Sequence, residues 1–132
     1  AAKRVVGPVS KLRILLAEDN VVNRAVAAAI LGKCGHTIVH AVNGREAVEA
    51  AAREGFDLIF MDVQMPEMDG FEATGRIRRD FARQPLIIAV TANAMAEDRQ
   101  ACIVAGMDDY ISKPLNVDDL KKLLAKHSRM RA

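Results

Sequence analysis

Four short apolar runs in the 132-residue chain end directly in reactive or ligating side chains. Ile14-Leu-Leu-Ala17 runs into Glu18-Asp19-Asn20, and Leu58-Ile-Phe-Met61 into Asp62. Leu86-Ile-Ile-Ala-Val90 runs into Thr91, and Tyr110-Ile-Ser112 into Lys113-Pro114. Carboxylates gathered in one place repel: two unit charges about 4 Å apart cost about 4 kcal/mol at an effective dielectric of about 20. A cluster of Glu18, Asp19 and Asp62 therefore calls for a cation, and an all-oxygen set suits a hard one such as Mg²⁺. Lys113 adds a positive charge and Thr91 a hydroxyl donor. A carboxylate nucleophile, a divalent ion, a lysine and a hydroxyl together describe phosphoryl transfer to an aspartate. Each piece alone has an ordinary structural explanation: an acidic pair at a helix start, a turn aspartate, a Lys-Pro loop, a Thr-Ala-Asn helix cap. Their joint occurrence at the same end of different runs carries the reading.

The runs that must position these groups number five: Leu12 to Ala17, Thr37 to Val42, Asp57 to Asp62, Leu86 to Val90 and Asp109 to Ser112. Segments of helical length separate them. Strand and helix alternating in this way predict an α/β fold with a parallel sheet, right-handed crossovers and helices on both faces. The three middle runs barely alternate, which predicts strands buried on both sides. Val21, Ala25, Ala28 and Ala29 fit one face of a first helix. Ala47, Val48, Ala51 and Ala52 fit a second, and Phe71, Thr74, Ile77 and Arg78 a third. Asn43-Gly-Arg-Glu46 and Asp69-Gly-Phe-Glu72 resemble capping boxes, and Leu115 and Leu120 flank a cap at Asn116 at staple spacing. Ligands of such sheets bind outside the carboxyl ends of the strands, where the chemistry-bearing residues lie. One domain is expected over residues 11–128, with tails at 1–10 and 129–132.

Composition narrows the function classes. Hydrophobic residues make up 51% and charged residues 27%, the balance of a folded globular chain. Nineteen basic and seventeen acidic residues leave a net charge of +2, too even to argue for nucleic acid. Trp is absent, which speaks against a base-stacking platform. No apolar run reaches the roughly 18 residues of a membrane span, and the start lacks a signal-peptide core. Cys34 and Cys102 have no CxxC spacing and read as reduced cytosolic thiols. His36, His40 and His127 suggest no metal site and read as solvated or loosely packed. Met61, Met65, Met68 and Met95 read as packing residues.

From Arg13 to about His127 the chain resembles receiver domains of the two-component response-regulator family. The resemblance rests on Ile14-Leu-Leu-Ala-Glu18-Asp19-Asn20, Met61-Asp62-Val-Gln-Met65-Pro66-Glu-Met68-Asp69-Gly70, Val90-Thr91-Ala92-Asn93-Ala94-Met95 and Gly106-Met-Asp-Asp-Tyr110-Ile-Ser-Lys113-Pro114. It implies a flavodoxin-like (βα)₅ fold with strand order 2-1-3-4-5. It also implies that Asp62 is the phosphoacceptor and that Asp19 binds Mg²⁺ directly, with Glu18 acting through water and the backbone carbonyl of Gln64 as third protein ligand. Lys113 would pair with the phosphoryl group and be joined to Pro114 by a cis bond. Thr91 and Tyr110 would form the switch pair. Asp19-Asn20 with Asn23-Arg24, Gln64-Met65-Pro66 and Thr91-Ala92-Asn93-Ala94-Met95 look most like receivers of hybrid sensor histidine kinases. The expected partners are a histidine kinase or a histidine phosphotransfer domain, with an output and weak self-association face on helix 4, strand 5 and helix 5. The expected location is the cytoplasm, or the cytoplasmic part of a membrane-bound kinase.

Three other readings compete. A stand-alone single-domain response regulator would carry the same motifs. A haloacid-dehalogenase-like phosphatase needs a second Asp two residues after the nucleophile, where this chain has Gln64, an amide that cannot shuttle a proton. A phosphorylation-independent interaction module would typically have lost the acceptor, the acidic pair or the lysine, and all are present.

Overall fold

The computed structural model describes residues 11–92 and 95–131. The expected tail at 1–10 and the Asn93-Ala94 part of the Val90–Met95 motif lie outside the described residues. Five strands alternate with five helices: β1 (Arg13–Ala17), α1 (Val21–Lys33), β2 (Thr37–Ala41), α2 (Gly44–Arg53), β3 (Leu58–Asp62), α3 (Gly70–Asp80), β4 (Leu86–Thr91), α4 (Ala96–Ala105), β5 (Asp109–Ser112) and α5 (Val117–Arg131). The sheet is parallel with order β2-β1-β3-β4-β5, the doubly wound flavodoxin-like topology.

The pleat sorts each strand's side chains into two cores. Leu15, Ala17, Ile59, Met61, Ile87 and Ala89 point to one face, where Ala47 and Ala50 of α2, Ala73 and Ile77 of α3, and Cys102 of α4 cover them. Ile14, Leu16, Leu58, Phe60, Ile88 and Val90 point to the other, covered by Ala27 and Leu31 of α1 and Leu120 and Leu123 of α5. Because both faces are covered, β1, β3 and β4 read as unbroken apolar runs.

Several expectations need correcting. β2 is not buried on both faces: it is an edge strand, and only Ala41 is buried. α1 buries a different face from the one its Val21, Ala25, Ala28 and Ala29 spacing predicts. Its buried residues are Ala27 and Leu31, while Val21 is 65% exposed and Ala25 and Ala29 face solvent. Ala and Val recur around this helix, so composition gives no contrast from which to choose a face. On α2, Ala50 is buried and Ala52 exposed. α5 runs to Arg131, so residues 129–131 continue the helix.

Caps fix the helix starts. The Asn20 side chain accepts from the Val22 and Asn23 amides, Asn43 from Glu46, Asp69 from Glu72 and Asn116 from Asp119. The return half of the boxes differs from expectation. Glu46 accepts from the Val42 amide, one residue before the cap, and Glu72 turns to Arg76. α4 has no side-chain cap: Thr91 ends β4, the cap position is Met95, and Glu97 and Asp98 supply negative charge to the first turn. Nor is His127 loosely packed. It is 2% exposed, and its Nε2 lies 2.9 Å from Asp109 Oδ2, which also accepts from Lys126. His36 is buried too, its Nδ1 accepting from the Leu12 amide.

Candidate functional site

Parallel strands end at one edge, so the terminal residues of β1, β3, β4 and β5 become neighbours. Register sets Ala17 beside Met61, Asp62 beside Val90 and Thr91 beside Ser112. One carboxylate oxygen from each of Glu18, Asp19 and Asp62 lies within 4.8 Å of the other two. Asp62 is 2% and Glu18 4% exposed, whereas Asp19 faces solvent. Lys113 reaches across from the loop after β5. Its Nζ is 2.8 Å from Asp62 Oδ2 and 3.3 Å from Glu18 Oε1. The Lys113–Pro114 peptide is cis.

Backbone amides fix the acids in turn. The Gln64 amide donates to Asp62 Oδ1 at 3.0 Å and the Asn20 amide to Glu18 Oε2 at 3.0 Å. Burial raises the Glu18 carboxyl above its ordinary value, helped by the Asp62 charge and opposed by the Asn20 amide and Lys113. Burial pulls the Lys113 ammonium downward, but the hydrogen bond and charge of Asp62, with Glu18, outweigh it and hold the value high. The cluster thus holds more negative than positive charge in a dry place. Three hard oxygen donors, two of them buried, fit a small divalent cation such as Mg²⁺. A cleft of about 210 Å³ opens over Asp62, lined by Gln64, Thr91, Lys113 and also Phe71, Asp98 and Cys102.

The loop after β3 is shaped by a close approach. A Cβ on Gly70 would sit 2.3 Å from the Asp62 carbonyl oxygen, so only glycine lets α3 start against the back of Asp62. The sequence reading missed three contacts. Arg24 donates to the carbonyls of Glu18 and Asp19, tying the acidic loop to α1. Arg45 pairs with Glu67, whose φ of 67° is left-handed. Arg99 of α4 donates to the Tyr110 hydroxyl at 2.9 Å. Arg24 and Arg45 lie in motifs the sequence marks and Arg99 does not, but the Arg45–Glu67 and Arg99–Tyr110 contacts join residues too far apart in sequence for any spacing signal. The structure brings Glu18, Asp19, Asp62 and Lys113 into one cluster, with Thr91 and Gln64 on its rim. Tyr110 stands apart on β5, half-buried.

Fold and cleft together define a doubly wound α/β domain with a carboxylate–lysine cluster at its strand ends. The chain belongs to the response regulator receiver domain family, whose profile matches residues 14–125. The receiver domain of a sensor histidine kinase from Pseudomonas aeruginosa PAO1, solved with a magnesium ion coordinated in its active site cleft, superposes with a TM-score of 0.80. It is 41% identical, over 89% of this chain and 97% of that one. The receiver domain of the Saccharomyces cerevisiae response regulator Ssk1, co-crystallised with the histidine phosphotransfer protein Ypd1, superposes with a TM-score of 0.84 at 34% identity, over 92% of each chain. Hybrid signal transduction histidine kinase H of Dictyostelium discoideum is 45% identical over 83% of this chain, which spans 8% of that protein. Sensor histidine kinase RcsC of Escherichia coli is 38% identical over 89% of this chain, which spans 12% of that protein. The chain thus covers only a small part of the curated relatives it matches. No helix among the described residues is long and apolar enough to cross a membrane.

Proposed function

We propose that this domain takes a phosphoryl group from a phosphohistidine onto Asp62 and relays the event by changing its partner-binding face. The observation that carries this is Asp62 itself: a buried carboxylate at a strand end, 2.8 Å from the Lys113 ammonium and beside two more carboxylates. An Asp62 oxygen attacks phosphorus while the N–P bond of the donor breaks. The electron pair stays on the imidazole nitrogen, which takes up a proton from solvent, and Asp62 becomes an acyl phosphate. Lys113 pairs with a phosphoryl oxygen as charge develops, and the Gln64 amide keeps the other Asp62 oxygen oriented. Asp19 would hold Mg²⁺ directly, Glu18 through water and Gln64 through its carbonyl; the bound ion supplies charge neutralisation and alignment of the phosphoryl oxygens. Thr91 then donates its hydroxyl to the new phosphoryl group, and Tyr110 turns into the space it leaves.

The donor is a histidine kinase or a histidine phosphotransfer domain. Support comes from the solvent-facing Val21, Val22 and Val26 on α1, the helix that follows the acidic pair, and from the Ssk1 receiver, which was crystallised with such a protein. Exposed Met95 at the cap of α4, Ile103 and Val104 on α4 and Val117 on α5 support an output and weak self-association face on α4, β5 and α5. The hybrid-kinase relatives support a parent protein of that kind, with this domain in the cytoplasm. Incubation with a labelled small phosphodonor and Mg²⁺ should give one acid- and hydroxylamine-labile adduct, as an acyl phosphate is, that Asp62→Asn abolishes; an acid-stable adduct counts against it. Labelling that survives that substitution overturns the assignment.

A further inference from the structure

Arg99 joins α4 to the ring proposed to move. Its guanidinium donates to the Tyr110 hydroxyl at 2.9 Å, and its central carbon lies 5.6 Å from the ring centroid. The phenol is thus held by a charge-assisted hydrogen bond at its tip and by a cation over its face. Tyr110 sits on β5 opposite Ala89 of β4, two residues before the Ser112 that pairs with Thr91. The ring is half-buried against the α4-side core, and Arg99 is exposed on the first turns of the helix that follows the Thr91 loop. An inward turn of Tyr110 must give up both contacts, since Arg99 lies on the solvent side. A contact made in only one of two states biases their equilibrium by its full differential strength.

We propose that Arg99 is a positioning residue that latches Tyr110 outward in the unphosphorylated domain, so that α4 sets how far the switch rests from its active state. The inference rests on the reading of Asp62 and Tyr110 given above. Removing the latch lowers the threshold for activation, and reciprocity requires that phosphorylation loosen Arg99 as much as Arg99 resists phosphorylation. A hydrogen bond and a cation–π contact at a half-exposed position correspond to about a 3- to 10-fold change in the equilibrium.

The test follows the ring NMR signals of Tyr110, the chain's single tyrosine, while beryllofluoride, an acyl-phosphate mimic, is titrated in with Mg²⁺. In Arg99→Ala the resting signals should move part of the way toward their beryllofluoride-bound positions, and the midpoint should fall about 3- to 10-fold. Tyr110→Phe keeps the ring contact but loses the hydrogen bond, so its midpoint, read from the backbone amide signals around Asp62, should fall by less. Arg99→Lys keeps the charge without the planar fork and should lie between wild type and Arg99→Ala. A merely structural role for Arg99 would shift the melting temperature without moving the resting Tyr110 signals, and that pattern overturns the latch. So does a wild type that labels on Asp62 and responds to beryllofluoride while Arg99→Ala matches it in resting signals and midpoint. A wild type that neither labels nor responds overturns the function reading, and the latch falls with it.

Discussion

Replacing Glu18 by Gln should stabilise the metal-free domain while weakening its response to Mg²⁺. Glu18 is one of two buried carboxylates, at most 4.8 Å from Asp62, which at an effective dielectric of about 20 costs about 3.5 kcal/mol or more. Lys113 at 3.3 Å returns about 5 kcal/mol at the same dielectric. Desolvation of a side chain only 4% exposed decides the sign, because with it the charged form is disfavoured and the carboxyl is raised above 4.5. Gln keeps the shape and an oxygen to accept from the Asn20 amide but carries no charge. A gain on the order of 1 kcal/mol is expected at pH 7, or about 4 °C in melting temperature for a domain of this size. The pH dependence follows from the direction of the shift. A carboxyl raised on folding makes the folded state bind the proton more tightly, so wild-type stability should rise as pH falls from neutral through the raised value toward 4.5. Glu18→Gln should lack that rise. Mg²⁺ reverses the ranking, since the cation uses the charge the variant has lost. Melting curves from pH 4.5 to 8 with and without Mg²⁺ measure all three effects. A lower melting temperature in metal-free Glu18→Gln at pH 7, or an undiminished Mg²⁺ shift, refutes the reasoning.

Asp19→Asn should remove more of the Mg²⁺-induced melting shift than Glu18→Gln, and an unchanged shift would exclude Asp19 as a direct ligand. Gly70→Ala forces a Cβ against the Asp62 carbonyl and should cost about 1–3 kcal/mol in urea unfolding. Thr74 is fully buried and its hydroxyl has no partner among the described residues, so Thr74→Val should raise the unfolding free energy measured in urea by roughly 0.5–1 kcal/mol. Burial raises the Asp109 carboxyl, but the bonds from His127 and Lys126 outweigh this and hold it below its ordinary 3.8. A depressed carboxyl stabilises the fold above its unfolded value, so Asp109→Asn should cost about 1–2 kcal/mol at pH 7, and the difference from wild type should close as pH falls below about 4. Val22→Glu on α1 should slow phosphotransfer from a phosphohistidine protein yet spare labelling by a small phosphodonor; equal slowing of both would remove α1 from the docking surface.

Much of the fold was legible in the chain because its signals are local. A strand buried on both faces must be apolar along its length, so β1, β3 and β4 stand out within a residue of their true bounds. In a parallel sheet every strand ends at the same edge, so Glu18-Asp19, Asp62, Thr91 and Lys113 could be assembled from sequence order alone. What depends on the far side of a contact was not legible. The buried face of α1 is chosen by which of several similar Ala and Val positions meets Leu16 and Phe60, and local pattern cannot rank them. The exposure of β2 follows from its edge position, not from its composition. His127 became a buried partner of Asp109 because α5 packs back on β5, eighteen residues away in sequence. Arg99 meets Tyr110 for the same kind of reason: the α4–β5 crossover brings a guanidinium and a phenol together, and no spacing rule encodes that meeting. The chemistry of the site is written in residue types at strand ends, whereas its electrostatic balance and the hold on Tyr110 come from packing between elements.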